Sequence, residues 1–258
     1  TLAPSPLLAT ALATATIIDA GSEAARTRWL PAIAAGTRTA TLALLDDVDA
    51  PETASITLEA QADGDGFRLN GMRDFILDAG QADLFVVAFR RPDAGLQLAV
   101  IEKSLPGVSA CSFPTVDLSK RLGRLTLENV VLTSEMLLSD GPLAEEAITR
   151  ALDRGAVAVC AESIGAAESA LNLLVEYAKT RMQFGAPIGK YQGVKHPLAE
   201  IFVDIESFRS LTYYAAWAID ESPDELPRQA SLAKAYVSDA MARIGIDSVQ
   251  LHGAIGYT

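Results

Sequence analysis

Cysteine and histidine are scarce in this sequence: each occurs twice in 258 residues. Cys111 and Cys160 lie in apolar surroundings and are not spaced as a CxxC pair, so the chain lacks a disulfide framework and the ligands of a structural zinc site. We therefore predict no metal site and a reducing compartment, the cytoplasm. His196 and His252 lie in segments predicted to pack, without an evident carboxylate partner, so we interpret both as structural.

Basic residues are also few: 21 Lys and Arg face 33 Asp and Glu, which gives a net charge of −12. This excess of negative charge disfavours nucleic acid as a partner, because phosphate binding depends on clustered cations. The apolar run from Leu7 to Ile18 is short, is interrupted by threonines and has no basic flank, so we predict a core helix there. We expect no other window to reach membrane length, which predicts a soluble chain with no membrane partner.

The middle of the chain has the pattern of an antiparallel β domain. Short apolar runs rich in branched and aromatic residues are separated by turn signals such as Asp63–Gly66 and Asn70-Gly71. Leu125–Leu132 is the last of them. The earlier runs are Ile56–Ala60, Phe67–Asn70, Leu84–Phe89 and Leu96–Ile101.

After Asp140-Gly141-Pro142 the apolar spacing becomes helical almost to the end of the chain. A third helix is predicted from about residue 229 to residue 251, after the turn Pro223–Pro227. Three long antiparallel helices predict a bundle. The first two helices have the following apolar faces: Val157, Ala161, Ile164, Ala167, Leu171, Leu174 and Ala178, then Leu198, Ile201, Ile205, Phe208, Thr212 and Ala215.

The predicted fold class is therefore α+β. Residues 1–37 would form the end of an N-terminal helical domain, residues 38–138 a central antiparallel β domain, and residues 139–258 a C-terminal helical bundle that is expected to be incomplete.

Two segments near the C-terminus combine a cation with glycine turns at helix ends, where a ligand can approach the backbone closely. Lys179–Gln192 reads Lys-Thr-Arg-Met-Gln-Phe-Gly-Ala-Pro-Ile-Gly-Lys-Tyr-Gln, and Gln250–Thr258 reads Gln-Leu-His-Gly-Ala-Ile-Gly-Tyr-Thr. Taken alone, Arg181 could simply end a helix, where a cation complements the helix dipole. Together the two segments suit a dinucleotide pyrophosphate, because Arg holds phosphate bidentately and glycine leaves the backbone accessible.

In order and spacing, these segments resemble those of the acyl-CoA dehydrogenase family. The resemblance implies a tetramer assembled through the helical bundle, with flavin adenine dinucleotide (FAD) lying between two subunits. Arg181 would then hold a phosphate, Phe184 would pack near the adenine, and Gln192 would hydrogen-bond the cofactor. Gln250 and Gly253 would meet the pyrophosphate of the neighbouring subunit's FAD.

The chain departs from the family where members hold the flavin ring. They usually carry Thr-Glu-Pro-Gly-Ala-Gly-Ser-Asp, whereas Leu45–Glu52 reads Leu-Asp-Asp-Val-Asp-Ala-Pro-Glu, whose carboxylates would repel an anionic reduced flavin. An aromatic-Ile-Thr-Asn-Gly element appears as Phe75–Ala79, in which Leu77 has no hydroxyl to donate. In the glycine turn Ala254 replaces a family glycine, a change that costs little if its φ is negative and much if it is positive.

The family's catalytic base also lacks a counterpart, because removal of the α-proton requires a carboxylate aimed at the substrate carbon. In most members it lies beyond the position of Thr258, and in some it lies near the start of the first long C-terminal helix. Gly155 occupies that second position, and Asp153 is about 200° away around the helix. We therefore predict no catalytic residue among residues 1–258, and whether a segment after Thr258 holds the base stays open.

Because one half of the family's FAD site is kept and the other is lost, the resemblance implies a partner subunit of a bacterial α2β2 acyl-CoA dehydrogenase. Its catalytic partner would be a homologous subunit, and its substrate an acyl-CoA, such as a steroid-derived one, that undergoes α,β-dehydrogenation. Two alternatives stay open: a self-sufficient homomeric enzyme, and a scaffold subunit that binds no FAD. A yellow colour in the chain purified alone would favour the homomeric enzyme, and a colourless complex would favour the scaffold.

Overall fold

The computed structural model describes residues 5–44, 53–63, 66–140 and 142–257. These residues form two compact units, which divide between Leu152 and Asp153 within one long helix. The domain boundaries predicted at residues 37/38 and 138/139 stay a prediction. Each unit is described separately below.

The first unit begins with two helices, α1 (Leu7–Ala20) and α2 (Glu23–Ala34). The Ser22 hydroxyl accepts a hydrogen bond from the Ala25 amide at 3.2 Å and so caps α2, as serine commonly does at a helix start. α2 continues past Pro31 and ends shortly before Gly36, whose φ of 68° lies in the left-handed region that favours glycine.

Eight strands follow in the described part of this unit. They form two four-stranded sheets, in the orders β1-β4-β5-β8 and β2-β3-β7-β6. Every neighbouring pair is antiparallel except β1 and β4, so the predicted antiparallel β domain contains one parallel pair. The strands are β1 (Ala40–Ala43), β2 (Ala60–Asp63), β3 (Gly66–Leu77), β4 (Leu84–Arg91), β5 (Gly95–Glu102), β6 (Val108–Ser112), β7 (Leu122–Leu132) and β8 (Leu137–Asp140).

Strand β4 is buried on both faces, which explains its continuous apolar sequence. Leu84 and Val86 pack in a core shared with α1 and α2, whereas Phe85 and Phe89 pack in a second core that is shared with β3 and β7. Each fully buried side chain of this size contributes about 1.5–3 kcal/mol through removal of apolar surface from water. The first sheet therefore lies between the helices and the second sheet.

The second unit is a bundle built from the part of α3 (Pro142–Thr180) that follows Leu152, α4 (Gln192–Glu221) and α5 (Leu226–His252). Two short strands, β9 (Met182–Gln183) and β10 (Ala186–Pro187), connect α3 with α4. The predicted apolar faces form its core, with one error: Ala161 is exposed, and Cys160 is buried in its place.

The two thiols are free, and their surroundings differ. Cys111 is exposed, whereas Cys160 is buried, and burial raises the pKa of the Cys160 thiol. The predicted apolar surroundings therefore hold for Cys160 and not for Cys111.

One helix, α3, is long and apolar enough to cross a membrane by length and composition, contrary to the expectation that no further window reaches that length. A single helix of this kind is weak evidence, since core helices pass the same test. Val157, Cys160 and Ile164 of α3 are buried in the core of the bundle, which accounts for part of its apolar character.

Candidate functional site

The segment after α3 is a tight hairpin whose turn residues have unusual backbone angles. β9 and β10 pair antiparallel, with Gln183 opposite Ala186. Between them Phe184 and Gly185 have φ of 53° and 76°. Positive φ at both central positions is the geometry of a type I′ turn, which normally selects Asn or Gly. A phenylalanine at this position is strained, and its side chain is 91% exposed.

Two contacts keep the hairpin ordered. The Tyr191 hydroxyl lies 3.2 Å from the carbonyl oxygens of both Gln183 and Phe184, and its ring meets that of Phe184 edge-on at 6.2 Å. A Cβ at Gly189 would lie 3.1 Å from the Ala178 carbonyl oxygen, which explains glycine at this close approach to α3. The hairpin therefore presents the exposed Phe184 ring from an ordered backbone.

Arg181 and Gln192 flank this hairpin. The Arg181 side chain is exposed and has no hydrogen-bond or carboxylate partner among residues 5–44, 53–63, 66–140 and 142–257. Gln192 is exposed and is the first residue of α4, whose start has no side-chain cap. An unpaired guanidinium close to an uncapped helix start along the chain offers donors suited to a phosphate.

The second predicted segment is a turn at the end of α5. Gly253 has φ of 63°, and its amide donates to the Gln250 carbonyl oxygen. A short 3₁₀ helix follows, in which a Cβ at Gly256 would lie only 2.3 Å from the Val249 carbonyl oxygen. Ala254 has no positive φ, so its methyl group causes no backbone strain at the position of the family's glycine.

A contact between Tyr177 and His252 brings these two segments together. The Tyr177 hydroxyl donates to the His252 carbonyl oxygen at 3.3 Å, and the two rings lie 4.8 Å apart. Arg181 follows Tyr177 by one helical turn, with its amide bonded to the Tyr177 carbonyl oxygen, and Gly253 directly follows His252. The predicted cation and the predicted glycine turn therefore belong to the same end of the bundle.

The two histidines differ. Nδ1 of His252 lies 2.7 Å from the Ser248 carbonyl oxygen, in agreement with a structural histidine. His196, in contrast, is exposed on α4, so its predicted packing is wrong. Within the described ranges no three His, Cys, Asp or Glu side chains are grouped so that they could hold a metal ion.

The segment that departs from the flavin-binding pattern, Phe75–Ala79, makes hydrogen bonds within the first unit. Asp78 is buried, its amide donates to the Arg121 carbonyl oxygen at 2.7 Å, and its carboxylate accepts from Arg121 Nε at 2.9 Å. The Leu77 carbonyl oxygen accepts from the Thr41 hydroxyl at 2.6 Å. Residues Asp46–Asp49, the other departure, lie outside the described residues.

Asp153, the carboxylate nearest in sequence to the alternative base position, lies on the same side of α3 as Val157, Cys160 and Ile164, whereas Gly155 lies on the opposite side. Asp153 is partly buried, and burial raises the pKa of its carboxyl group. A raised pKa is a property of many general bases, so this residue requires a direct test.

Comparison with known proteins identifies the family. A family model described as "Acyl-CoA dehydrogenase, C-terminal domain" matches residues 146–258. The butyryl-CoA dehydrogenase structure from Megasphaera elsdenii matches with a TM-score of 0.91 at 28% identity, over 98% of this chain and 68% of that chain. The chain belongs to the acyl-CoA dehydrogenase family. Members are FAD-dependent oxidoreductases, and the predicted α+β fold is confirmed.

Two other solved structures are similar to this chain. The ChsE4-ChsE5 complex from Mycobacterium tuberculosis matches with a TM-score of 0.86 at 26% identity, over 100% of this chain and 67% of that one. A variant of the "Tcur3481-Tcur3483 steroid ACAD" matches with a TM-score of 0.83 at 30% identity, over 98% and 66%. The chain spans 60–67% of the length of the first curated acyl-CoA dehydrogenase relatives.

Two features of this site were missed by sequence reasoning. The first is Tyr177, whose hydroxyl contacts His252 and so connects the hairpin segment with the glycine turn. In the sequence it lies within a predicted helix, where its position indicates only packing. Gly256 follows Gly253 and Ala254, the two positions that match the family's glycine pair, and the sequence pattern gives no reason to single it out. The five predicted cofactor-binding residues, Arg181, Phe184, Gln192, Gln250 and Gly253, are all exposed, and their role stays a prediction.

Proposed function

We propose that this chain is the partner subunit of a heteromeric, FAD-dependent acyl-CoA dehydrogenase of the cytoplasm. It would supply the cross-subunit half of the FAD site to a homologous catalytic subunit, in an α2β2 tetramer. The observation that carries this proposal is an asymmetry between two parts of the chain. Among the described residues the exposed Arg181 side chain has no partner, whereas in the flavin-ring element the buried Asp78 carboxylate is engaged by Arg121 and the Leu77 side chain has no donor.

The bundle end fits the phosphate part of FAD. The Arg181 guanidinium would pair with a phosphate, because its planar fork matches two phosphate oxygens and stays charged. No side-chain atom lies within 4 Å of the Cβ position of Gly253, so its backbone is open to a ligand. Phe184 would pack against the adenine, and Gln192 and Gln250 would donate hydrogen bonds. When bound, FAD supplies the acceptor for the hydride that leaves the substrate's β-carbon.

The β3 element does not fit the flavin ring. Leu77 has no side-chain donor, and the Asp78 carboxylate is engaged by Arg121. We assign removal of the α-proton to a base on the homologous subunit, because Gly155 occupies the one family base position that falls within residues 1–258. Bulky CoA thioesters, steroid-derived ones among them, are the proposed substrate class, supported by the similarity to the "steroid ACAD".

Flavin content tests the proposal most directly. We expect the chain expressed alone to be flavin-free or poorly soluble, and the complex with its homologous subunit to hold one FAD per two chains. The measurement is flavin absorbance after denaturation, divided by chain concentrations from amino-acid analysis. A stable yellow homotetramer with one FAD per chain would overturn the proposal in favour of a homomeric enzyme. A colourless complex would indicate a scaffold.

Replacing Asp153 by asparagine is expected to leave turnover of the complex within about tenfold, because the side chain points away from the Gly155 side of α3. Loss of a true general base typically costs 10² to 10⁴. Turnover should be measured with an artificial electron acceptor, at matched flavin content. Since Asn also removes a partly buried carboxyl group, the control is Asp153→Glu, which restores the acid. A drop beyond a hundredfold that Glu reverses would place chemistry on this chain.

A further inference from the structure

The hairpin end of the bundle is locally basic in an acidic chain. Between Tyr177 and Ala199 the sequence contains no Asp or Glu, although the whole chain carries a net charge of −12. A patch of this kind attracts an approaching anion at a place where the protein as a whole repels it. The cations of this stretch are all exposed, and they are Lys179, Arg181, Lys190 and Lys195.

Three of these cations lack a carboxylate partner in the part of the chain that the structure describes. Lys179 forms an ion pair with Glu176 at 2.7 Å, so its charge is compensated. The unpaired ones, here called the basic rim, are Arg181, Lys190 and Lys195.

Backbone hydrogen bonds place the basic rim on one ordered segment. The Ile188 amide donates to the Arg181 carbonyl oxygen at 2.9 Å, and Lys190 ends the 3₁₀ helix that begins at Ile188. The Lys195 amide donates to the Tyr191 carbonyl oxygen at 3.0 Å, and the Tyr191 hydroxyl bonds back to the hairpin turn. The three charges therefore surround one hairpin.

Few carboxylates oppose the basic rim at this end of the bundle. Glu200 is exposed on α4, but it follows Lys195 by five residues, which places it about 140° around the helix. Asp247 lies on α5 more than one helical turn before the glycine turn at Gly253. Because charges in physiological salt act over about 8 Å, the three unpaired cations outweigh these two carboxylates near the hairpin.

The proposed FAD site uses only part of this positive charge. Arg181 is assigned to a phosphate of the bound cofactor, whereas Lys190 and Lys195 have no contact assigned to them. Charges at the rim of a binding site typically change the association rate and its salt dependence, and they change dissociation much less.

We propose that Lys190 and Lys195 steer FAD to the hairpin end of the bundle. They raise the rate at which the complex takes up its anionic cofactor, and they do not contact FAD once it is bound. The inference rests on the proposed function and deepens it, because it gives a kinetic role to cations that the bound state does not use.

The experiment measures FAD uptake by the complex with the homologous subunit, after its FAD has been removed. Binding is followed in a stopped-flow instrument as the loss of flavin fluorescence. Replacing both Lys190 and Lys195 by alanine is expected to slow association about threefold to tenfold at low salt, because steering by a whole patch raises rates by about 10 to 10³. FAD release on dilution should stay unchanged. In 1 M salt the screening length falls to about 3 Å, so the two association rates should converge.

Two further variants make the result specific to local charge. Replacing Lys190 and Lys195 by arginine keeps both charges and should retain the wild-type association rate. Replacing Arg228 and Lys234 by alanine removes two exposed cations of α5 that lie about 27 Å or more along the helix from His252. This distant pair changes the net charge by the same amount and should leave association unchanged.

The outcomes separate the two proposals. If the wild-type complex holds no FAD, either as isolated or after rebinding, the proposed function fails, and this inference with it. Equal association rates for the wild-type complex and the Lys→Ala variant overturn only the steering role. An equal loss in the distant variant would assign the effect to net charge and contradict a local rim. Faster release from the Lys→Ala variant would make the two lysines contacts of bound FAD and would likewise overturn steering.

Discussion

Replacing Arg181 by alanine is expected to weaken FAD retention by the assembled enzyme roughly tenfold to 150-fold, or about 1.5–3 kcal/mol, the range for a hydrogen bond to a charged group. The side chain is exposed and unpaired within the described residues, so its removal leaves no broken contact in the chain itself. The melting temperature of the bundle should therefore change little. FAD release on dilution, followed by the rise in flavin fluorescence, measures the effect.

Two variants make this result specific. Lys190→Ala removes another exposed cation of the same connecting segment and should leave retention unchanged. Arg181→Lys keeps the charge but loses the planar fork, so an intermediate retention is expected. If all three variants retained FAD like the wild-type complex, Arg181 would have only the role of a cation at a helix end.

The bundle was predictable from sequence because its buried residues recur at helical spacing. The α4 face from Ile201 to Ala215 is buried as predicted, and α5 (Leu226–His252) contains the whole predicted third helix. Ala161 was assigned to the core, but Cys160 is buried instead. Small apolar residues occur on both sides of α3, so their spacing cannot distinguish the buried side from the exposed one.

The candidate site was predictable only in part. Its residues come from two short segments with a recognisable order, whereas the contact that joins them, between Tyr177 and His252, spans 75 positions in sequence. Likewise, the hydrogen bond that engages the Asp78 carboxylate in the altered flavin-ring segment comes from Arg121, which is 43 positions away in sequence. Such pairs leave no local pattern, because any helix or strand tolerates a single Tyr, Asp or Arg.

The exposed side of α4 that carries Tyr213, Tyr214 and Trp217 shows a further limit of pattern reasoning. Its aromatic residues are exposed in the chain, although their composition resembles that of a core. Periodicity indicates that a side of a helix is apolar, but it does not indicate whether the same chain covers it. A sequence that must assemble with a partner therefore carries more apolar faces than its own fold buries.

Replacing Gly256 by alanine is expected to displace the turn after α5 and to weaken FAD retention in the complex by about tenfold or more. Its new Cβ would lie 2.3 Å from the Val249 carbonyl oxygen, closer than any normal contact, and the neighbouring atoms are backbone. Relief requires movement of the 3₁₀ helix Gly253–Tyr257, at a cost of roughly 1–3 kcal/mol for overpacking. Hydrogen exchange of the amides after His252 should accelerate.

Gly245→Ala is the matched control, because it makes the same substitution in the preceding helix, α5, at a position where a Cβ meets nothing within 4 Å. There alanine should stabilise α5 by about 0.5–1 kcal/mol through its higher helix propensity and leave FAD bound. Faster exchange at the turn in Gly256→Ala, combined with unchanged FAD retention, would show that the turn moves without affecting the cofactor. The backbone at Gly253 would then be no part of the FAD site, and the cross-subunit half would be reduced to the hairpin around Arg181.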